Sequence, residues 1–303
     1  MLGVLMVGEI MTKLKLETVV SSAIDKTQKF IFTSGLTRVL EVSYIDKDDG
    51  KDILCVPTES GCAQGCLFCH MTGSSVPVLS LSEEEILQAV QSVRLRLNLT
   101  GEKPLLVSYM GCGEPLCNWY QVAQSMSAIH TACDNSRFAL ATILPKDHEA
   151  VMLAMGKYVK FNNLNLKIHL SLHFTTDELR HKWLPSAGDL IPSLQLLRWY
   201  RDYTGNKIEI HYTPINGVND SYEDARRLVN LIGEDKIPIK LLTFNPKPGL
   251  LAECTDSMRN FKLWSGWDNV EIYTPPGRDI GASCGQFDLK YYGIKHYKPT
   301  EKV

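Results

Sequence analysis

From Ile53 onward the chain alternates short β-branched or apolar runs with stretches of helical periodicity, and this alternation restricts its possible folds more than any other feature. Extended runs fall at residues 53–57 (ILCVP), 105–111 (LLVSYMG), 138–143 (FALATI), 166–173 (LKIHLSLH), 207–215 (KIEIHYTPI) and 239–244 (IKLLTF). Helical patterns run from Ser82 to Leu97, Trp119 to Cys133, Asp147 to Tyr158, Leu190 to Tyr203, Ser221 to Gly233 and Asp256 to Trp264. Ser82 with Glu85, and Asp220 with Glu223, have the spacing at which a cap side chain and an acid satisfy free N–H groups of a first turn. Strand and helix in strict alternation select an α/β fold with a parallel sheet, because a parallel crossover needs a connection as long as a helix. Six such units predict a partial (β/α)6 TIM-like barrel, with a doubly wound open sheet as the alternative. Both place active sites at the C-terminal ends of the strands.

Ahead of the first unit, the run KFIFTSGLTRVLEVSYIDKDDGKDILCV reads as extended segments joined by turns at Ser34-Gly35 and Asp48-Asp49-Gly50. We therefore expect residues 1–50 to form an N-terminal extension with a small β lead-in, and residues 51–303 to form the core with a cysteine-bearing C-terminal segment. A chain of 303 residues with 44% hydrophobic content can fill the core of one large domain. A net charge of -2 carries no overall basic footprint, so a nucleic-acid partner would have to be held by a local patch. The opening MLGVLMVGEIM has no basic leader and is interrupted by Glu9, which predicts neither a signal peptide nor a membrane span. Nine cysteines without a dense, even spacing suit a reducing, cytoplasmic setting.

Three of these cysteines sit together in SGCAQGCLFCH, as Cys62, Cys66 and Cys69. Structural zinc takes four ligands, and a fourth from Cys55, Cys112 or His70 keeps that possibility open. An iron–sulfur cluster on three thiolates would instead leave one iron without a protein ligand and able to bind a small molecule. Cys-x3-Cys-x2-Cys after the first strand of a βα array, with an aromatic (Phe68) before the last cysteine, resembles the radical S-adenosylmethionine (SAM) superfamily. That resemblance implies a 4Fe-4S cluster on the three cysteines and SAM on its open iron, cleaved to methionine and a 5′-deoxyadenosyl radical. The protein's part is then binding and shielding.

Four further stretches, Met110-Gly111-Cys112-Gly113-Glu114-Pro115, Ser171-Leu172-His173, Phe244-Asn245-Pro246-Lys247-Pro248-Gly249 and Ala282-Ser283-Cys284-Gly285-Gln286, resemble the RlmN/Cfr family in order and spacing. Its members are radical SAM methyltransferases acting on adenine carbons of RNA. The resemblance implies that Gly113 and Glu114 bind the SAM amino group and that Ser171, His173 and Asn245 are its other polar contacts, with Leu172 in the same cofactor-binding segment. It implies that Cys284 is methylated by a first SAM and carries the carbon to adenine. Cys55 would then break the resulting protein–RNA thioether by pairing with Cys284, and Glu41 would accept a proton. Adenine C2 and C8 are too weakly nucleophilic to attack SAM directly, which is the physical reason for a radical route and for a thiolate and a base to finish it.

Each residue also has an ordinary reading: a core cysteine at 55, a cross-strand ion pair at Glu41, a core histidine at 173 and turn chemistry at Asn245. Cys112, Cys117, Cys133 and Cys254 read as packing residues. The chain departs from the family after the cluster, where HMTGSSVPVLSLS lacks the usual basic residue, and at LATILP, where Thr142 is the nearest hydroxyl to the expected SAM contact. The stretch of about 25 residues before the lead-in is also short for a helical RNA-binding domain. RNA contacts are expected from Lys290, Lys295 and Lys298 interleaved with Tyr291, Tyr292 and Tyr297, or from Arg180, His181 and Lys182, unless these are an edge strand and a solvated turn. The leading expectation is an enzyme methylating adenine of ribosomal or transfer RNA, at C2 in preference to C8. It would act as a monomer without membrane attachment, fed by flavodoxin or ferredoxin. A radical SAM enzyme for a peptide or free nucleotide, and a non-catalytic metal-binding module, are the alternatives.

Overall fold

The computed structural model describes residues 14–35, 38–47, 50–235, 237–247, 250 and 255–287. The extended runs form one continuous sheet whose spatial order follows the chain. Strands β1 (Leu14–Ser21), β2 (Gln28–Ser34), β3 (Arg38–Lys47) and β4 (Lys51–Cys55) pair antiparallel. From β4 the sheet turns parallel through β5 (Leu105–Tyr109), β6 (Ser136–Thr142), β7 (Leu166–Ser171), β8 (Ile208–Tyr212), β9 (Ile239–Leu242) and β10 (Val270–Tyr273). The six expected βα units are present, and β10 adds a further parallel strand. Its sequence VEIY gives no periodic signal, being four residues long with two exposed.

Helices α1 (Glu83–Arg96), α2 (Trp119–Ala132), α3 (Glu149–Phe161), α4 (Asp177–Trp183), α5 (Leu190–Thr204), α6 (Tyr222–Ile232) and α7 (Met258–Ser265) occupy the connections. The capping box at Ser82 and Glu85 forms as expected. The second box falls one residue later than expected, on Ser221 and Asp224. Asp220 is committed elsewhere: its carboxylate accepts from the Gly217 N–H at 3.0 Å and the Thr255 hydroxyl at 2.5 Å.

The two-residue period of the strands sorts their side chains onto two faces. In β7, Leu166, Ile168 and Leu170 join the main apolar core against the helices, with Ile208, Ile210 and Tyr212 of β8 and Ile239 and Leu241 of β9. Each such side chain contributes about 1.5–3 kcal/mol by leaving water. The alternate residues, among them His169, His211 and Lys240, point to the other face and line a cavity. The loop after β10 then reaches back to the first hairpin. Asp279 accepts from the Ser22 hydroxyl and the Ala23 N–H, both at 2.7 Å, Asp25 accepts from the Gly277 N–H at 2.8 Å, and Lys29 donates to the Gly281 carbonyl at 3.3 Å. These contacts carry the segment with Cys284 across to the strands that hold Glu41 and Cys55. Among the described residues no helix is long and apolar enough to cross a membrane.

Candidate active site

Cys62, Cys66 and Cys69 lie on the loop after β4 and wall a cavity of ≈ 180 Å³ with Gly113, Glu114, Ser171, His173, Asn245 and Cys284. The loop is pinned from three sides. The Leu67 N–H donates to the Trp183 carbonyl at 2.9 Å, and Lys247 donates to the Thr72 carbonyl at 2.5 Å. The His70 N–H donates to the Gly285 carbonyl at 2.9 Å, while the Phe287 N–H returns a bond to His70 Nδ1 at 3.4 Å. The last pair fastens the cysteine loop directly to the segment that carries Cys284.

The turn after β5 presses on the backbone that follows β4. The Gly111 N–H donates to the Val56 carbonyl at 3.1 Å, and a Cβ on Gly111 would lie 2.8 Å from that same backbone. Gly113 has φ +101°, and a Cβ there would meet Thr58 Oγ1 at 2.6 Å and the Glu59 nitrogen at 2.8 Å. Glu114 follows, buried, accepting from the N–H groups of Leu116 and Ile143, both at 3.1 Å. Burial raises its carboxyl to about 7, against the opposing hydrogen bond from Thr142. A cation placed beside it would favour the ionised form.

The other expected SAM contacts divide into two groups. Ser171, His173 and Asn245 line the cavity. His173 takes a left-handed φ of 54°, stands edge-on to Phe68 at 5.4 Å between ring centres, and is held neutral by burial. The Asn245 amide donates to the Cys284 carbonyl at 3.1 Å, and its buried Oδ1 has no hydrogen-bond partner among the described residues. Leu172, in contrast, is fully buried in the core, and the Thr142 hydroxyl is turned to Glu114 and to the Leu144 N–H at 2.9 Å. Ala141 and Ile143 form the wall there instead, because Thr142 points to the opposite face of β6.

Arg180 is not part of a surface basic patch. It is fully buried, and its guanidinium donates to the carbonyls of Gly188 (3.0 Å), Ser171 (2.9 Å), Leu172 (2.5 Å) and Ile143 (2.6 Å). It thus fixes the Ser171-Leu172-His173 turn. α4 carries it inward, and this seven-residue helix has too few turns to show a period in sequence. His181 is partly exposed and 3.2 Å from Asp189. Among the packing cysteines, Cys112 and Cys133 are buried, but Cys117 is exposed, 3.6 Å from His148 Nε2. Cys254 and the lysine–tyrosine tail of residues 290–298 lie outside the described residues.

A second cavity, of ≈ 190 Å³, adjoins the first and shares Cys284 with it. Its walls include Cys55 at the end of β4, Glu41 of β3, and His169, His211 and Lys240. Burial, with a smaller contribution from a charge on the neighbouring Cys284, raises the Cys55 thiol to about 12. Cys284 is accessible through the cavities yet enclosed by protein, and this desolvation raises its thiol while Lys240 pulls it down. Glu41 is buried against Lys29, Nζ to Oε2 3.1 Å, a partner that no motif marked.

Comparison with known proteins decides the family. The chain is 32% identical over 292 residues to the "Dual-specificity RNA methyltransferase RlmN" of Phenylobacterium zucineum, covering 86% of this chain and 70% of that protein. It is 34% identical over 272 residues to the protein of the same name from Methylorubrum populi, covering 82% and 61% respectively. This chain belongs to the RlmN family. It spans 61% to 70% of the length of these two relatives. A radical SAM methyltransferase from Sphaerobacter thermophilus shares the fold of this RlmN-family chain, with a TM-score of 0.80 at 23% identity over 91% of this chain and 81% of that one. No protein-family model matches the chain.

The family uses a 4Fe-4S cluster and SAM, and the cysteine loop fits that cluster better than zinc. No three of Cys55, Cys62, Cys66, Cys69, Cys112 and His70 bring their ligand atoms within 4.8 Å of one another. Thiolates on one tetrahedral zinc, with bonds of ~2.3 Å, would stand roughly 3.8 Å apart. Burial also raises all three thiols of the triad, that of Cys62 to about 12. A polynuclear cation would supply the positive charge that their ionised forms lack.

Proposed function

We propose that this RlmN-family chain methylates an adenine carbon of ribosomal or transfer RNA, C2 in preference to C8, through a methylated Cys284. The observation that carries this reading is the position of Cys284, on the wall between the cavity of the three cysteines and the cavity of Cys55 and Glu41. The relatives' name, dual-specificity RNA methyltransferase, supports the substrate class.

Cys62, Cys66 and Cys69 would hold the 4Fe-4S cluster, and Gly113, Glu114, Ser171, His173 and Asn245 would seat SAM beside it. When bound, these two groups supply the methyl carbon and the one-electron chemistry. The chain's own residues do the rest. Glu114 offers the SAM ammonium a carboxylate whose burial cost that cation offsets. Asn245 holds the Cys284 backbone by its carbonyl, and the His70–Gly285 bond holds the residue after it. Once carbon is bonded both to Cys284 sulfur and to adenine, Cys55 as thiolate attacks that sulfur. The Cys55–Cys284 disulfide forms, the carbon–sulfur bond breaks, and its electron pair leaves with the carbon, which takes up a proton to become methyl. Glu41, kept in place by Lys29, is the acceptor for the adenine ring proton. Thr142 and Leu172 belong to the scaffold of the SAM site rather than to its wall. A flavodoxin- or ferredoxin-type electron donor, a cytoplasmic setting and a monomeric state complete the proposal.

The test is nucleoside mass spectrometry of RNA from cells expressing the chain or its Cys284→Ala variant. We expect 2-methyladenosine with the former and none above background with the latter. If neither 2-methyladenosine nor 8-methyladenosine is formed, the substrate assignment is wrong.

A further inference from the structure

We propose that His169, Glu209 and His211 form a binding site for a divalent transition-metal ion, with a coordination position open to the cavity that Cys284 lines. The strand register creates the site. His169 of β7 pairs with Glu209 of β8, and His211 follows two residues on along the same face. All three are buried, and one ligand atom from each lies within 4.8 Å of the others. His169 Nδ1 is 3.0 Å and His211 Nε2 3.5 Å from the same carboxylate oxygen, Oε1, with the ring centres 4.4 Å apart.

These distances suit ion pairs, but the angles do not make hydrogen bonds. His169 Nδ1, His211 Nε2 and Glu209 Oε1 are all buried without a well-formed hydrogen bond among the described residues. Three buried ligand atoms converge here with ion-pair contacts but without well-directed hydrogen bonds, and a cation that received their lone pairs would offset the cost of burying them. Two imidazoles and one carboxylate suit zinc or iron, and three protein ligands leave a place for a further group. His169 and His211 line the Cys284 cavity, so that place faces the thiol's side.

Two lysines share the carboxylate. Lys167 Nζ is 2.5 Å from Oε2 and does not occupy the metal-facing oxygen. Lys240 Nζ is 3.3 Å from Oε1, but it also lies 3.6 Å from Glu271 Oε2. A metal ion would displace Lys240 toward Glu271, which gives the proposal a consequence of opposite sign to ligand loss.

The full chain, with its cluster cysteines intact, is titrated anaerobically with Co2+ and then competed with Zn2+. The expected result is one equivalent of Co2+ with visible d–d bands and no near-ultraviolet thiolate charge transfer, displaced by Zn2+. His169→Ala and His211→Ala should each weaken it by more than the roughly 10–100-fold that loss of an outer-shell partner costs. Lys240→Gln should tighten it several-fold. Circular dichroism and metal-free melting check folding, with His211→Gln as the volume-preserving substitute. Cobalt bound only with thiolate bands, no binding, or binding indifferent to both histidine variants would overturn the proposal. None of these readouts uses methyl transfer, so the site stands or falls separately from the proposed reaction.

Discussion

The two cavities that meet at Cys284 are built in opposite ways. The first is walled mostly by segments at and beyond the strand ends, among them the cysteine loop, the Gly111–Glu114 turn, the Ser171–His173 turn and Asn245. The second is walled largely by side chains within strands, among them Glu41 and Ser43 of β3, Ser108 of β5, His169 of β7 and Lys240 of β9. Loop sites must satisfy their own backbone, so they carry contiguous motifs with fixed glycines and spacings. A strand site contributes one residue in two from each strand, and its members lie far apart in sequence. The first wall is written in short words and the second in single letters.

The largest effect separates the two cavities outright. Cys66→Ala should abolish both cluster iron and the formation of 5′-deoxyadenosine from SAM, whereas Cys284→Ala should keep both and lose only RNA methylation. If Cys284→Ala also loses its iron, the two cavities are one unit and the division fails. Next is Arg180→Ala, which removes a donor from four carbonyls, two of them fully buried. A loss of roughly 3–5 kcal/mol in chemical denaturation is expected, together with weaker SAM binding through the released Ser171 turn. Gly113→Ala should cost about 2–4 kcal/mol in the same measurement, since both the positive φ and the contact at 2.6 Å oppose a methyl group.

A smaller effect is pH-dependent. Burial lifts Glu114 from 4.5 to about 7, so the folded state binds this proton more tightly than the unfolded one. Its contribution to stability is present below the unfolded value and is lost as pH rises through about 7. A bound ammonium offsets that loss, so SAM should raise the melting temperature more at about pH 8 than at about pH 6. Glu114→Gln should remove the difference, while an unchanged difference would place the SAM amino group elsewhere. The smallest effect is outside both cavities. Arg198 and Asp235 pair at 2.5 Å but are partly exposed, and Asp235→Asn should shift stability by less than about 1 kcal/mol.

The alternation of strands and helices was legible because amphipathic period and capping chemistry are local properties. β10 and α4 were not, because four and seven residues are too short to establish a period. The same limit turned Arg180 into an apparent surface charge: three consecutive basic residues look alike in sequence, and only the placement of α4 buries one of them. Thr142 shows a finer limit: a one-residue step along β6 moves a side chain to the other face of the sheet. Cys117 failed as a packing residue for a related reason, since nothing local tells an exposed thiol from a buried one.

By itself the sequence determined the parallel α/β frame, the contiguous three-cysteine loop, and the stretches that align with the RlmN family. All of these are set by contiguous residues whose spacing is their chemistry. The tertiary structure alone decided that Cys284 stands between the two cavities, that Lys29 holds Glu41, and that His169, Glu209 and His211 converge. These depend on strand register and on a loop crossing from the last strand to the first hairpin. Most of these contacts join residues that are dozens to hundreds of positions apart, and even Lys29 and Glu41, twelve positions apart, meet only through strand register.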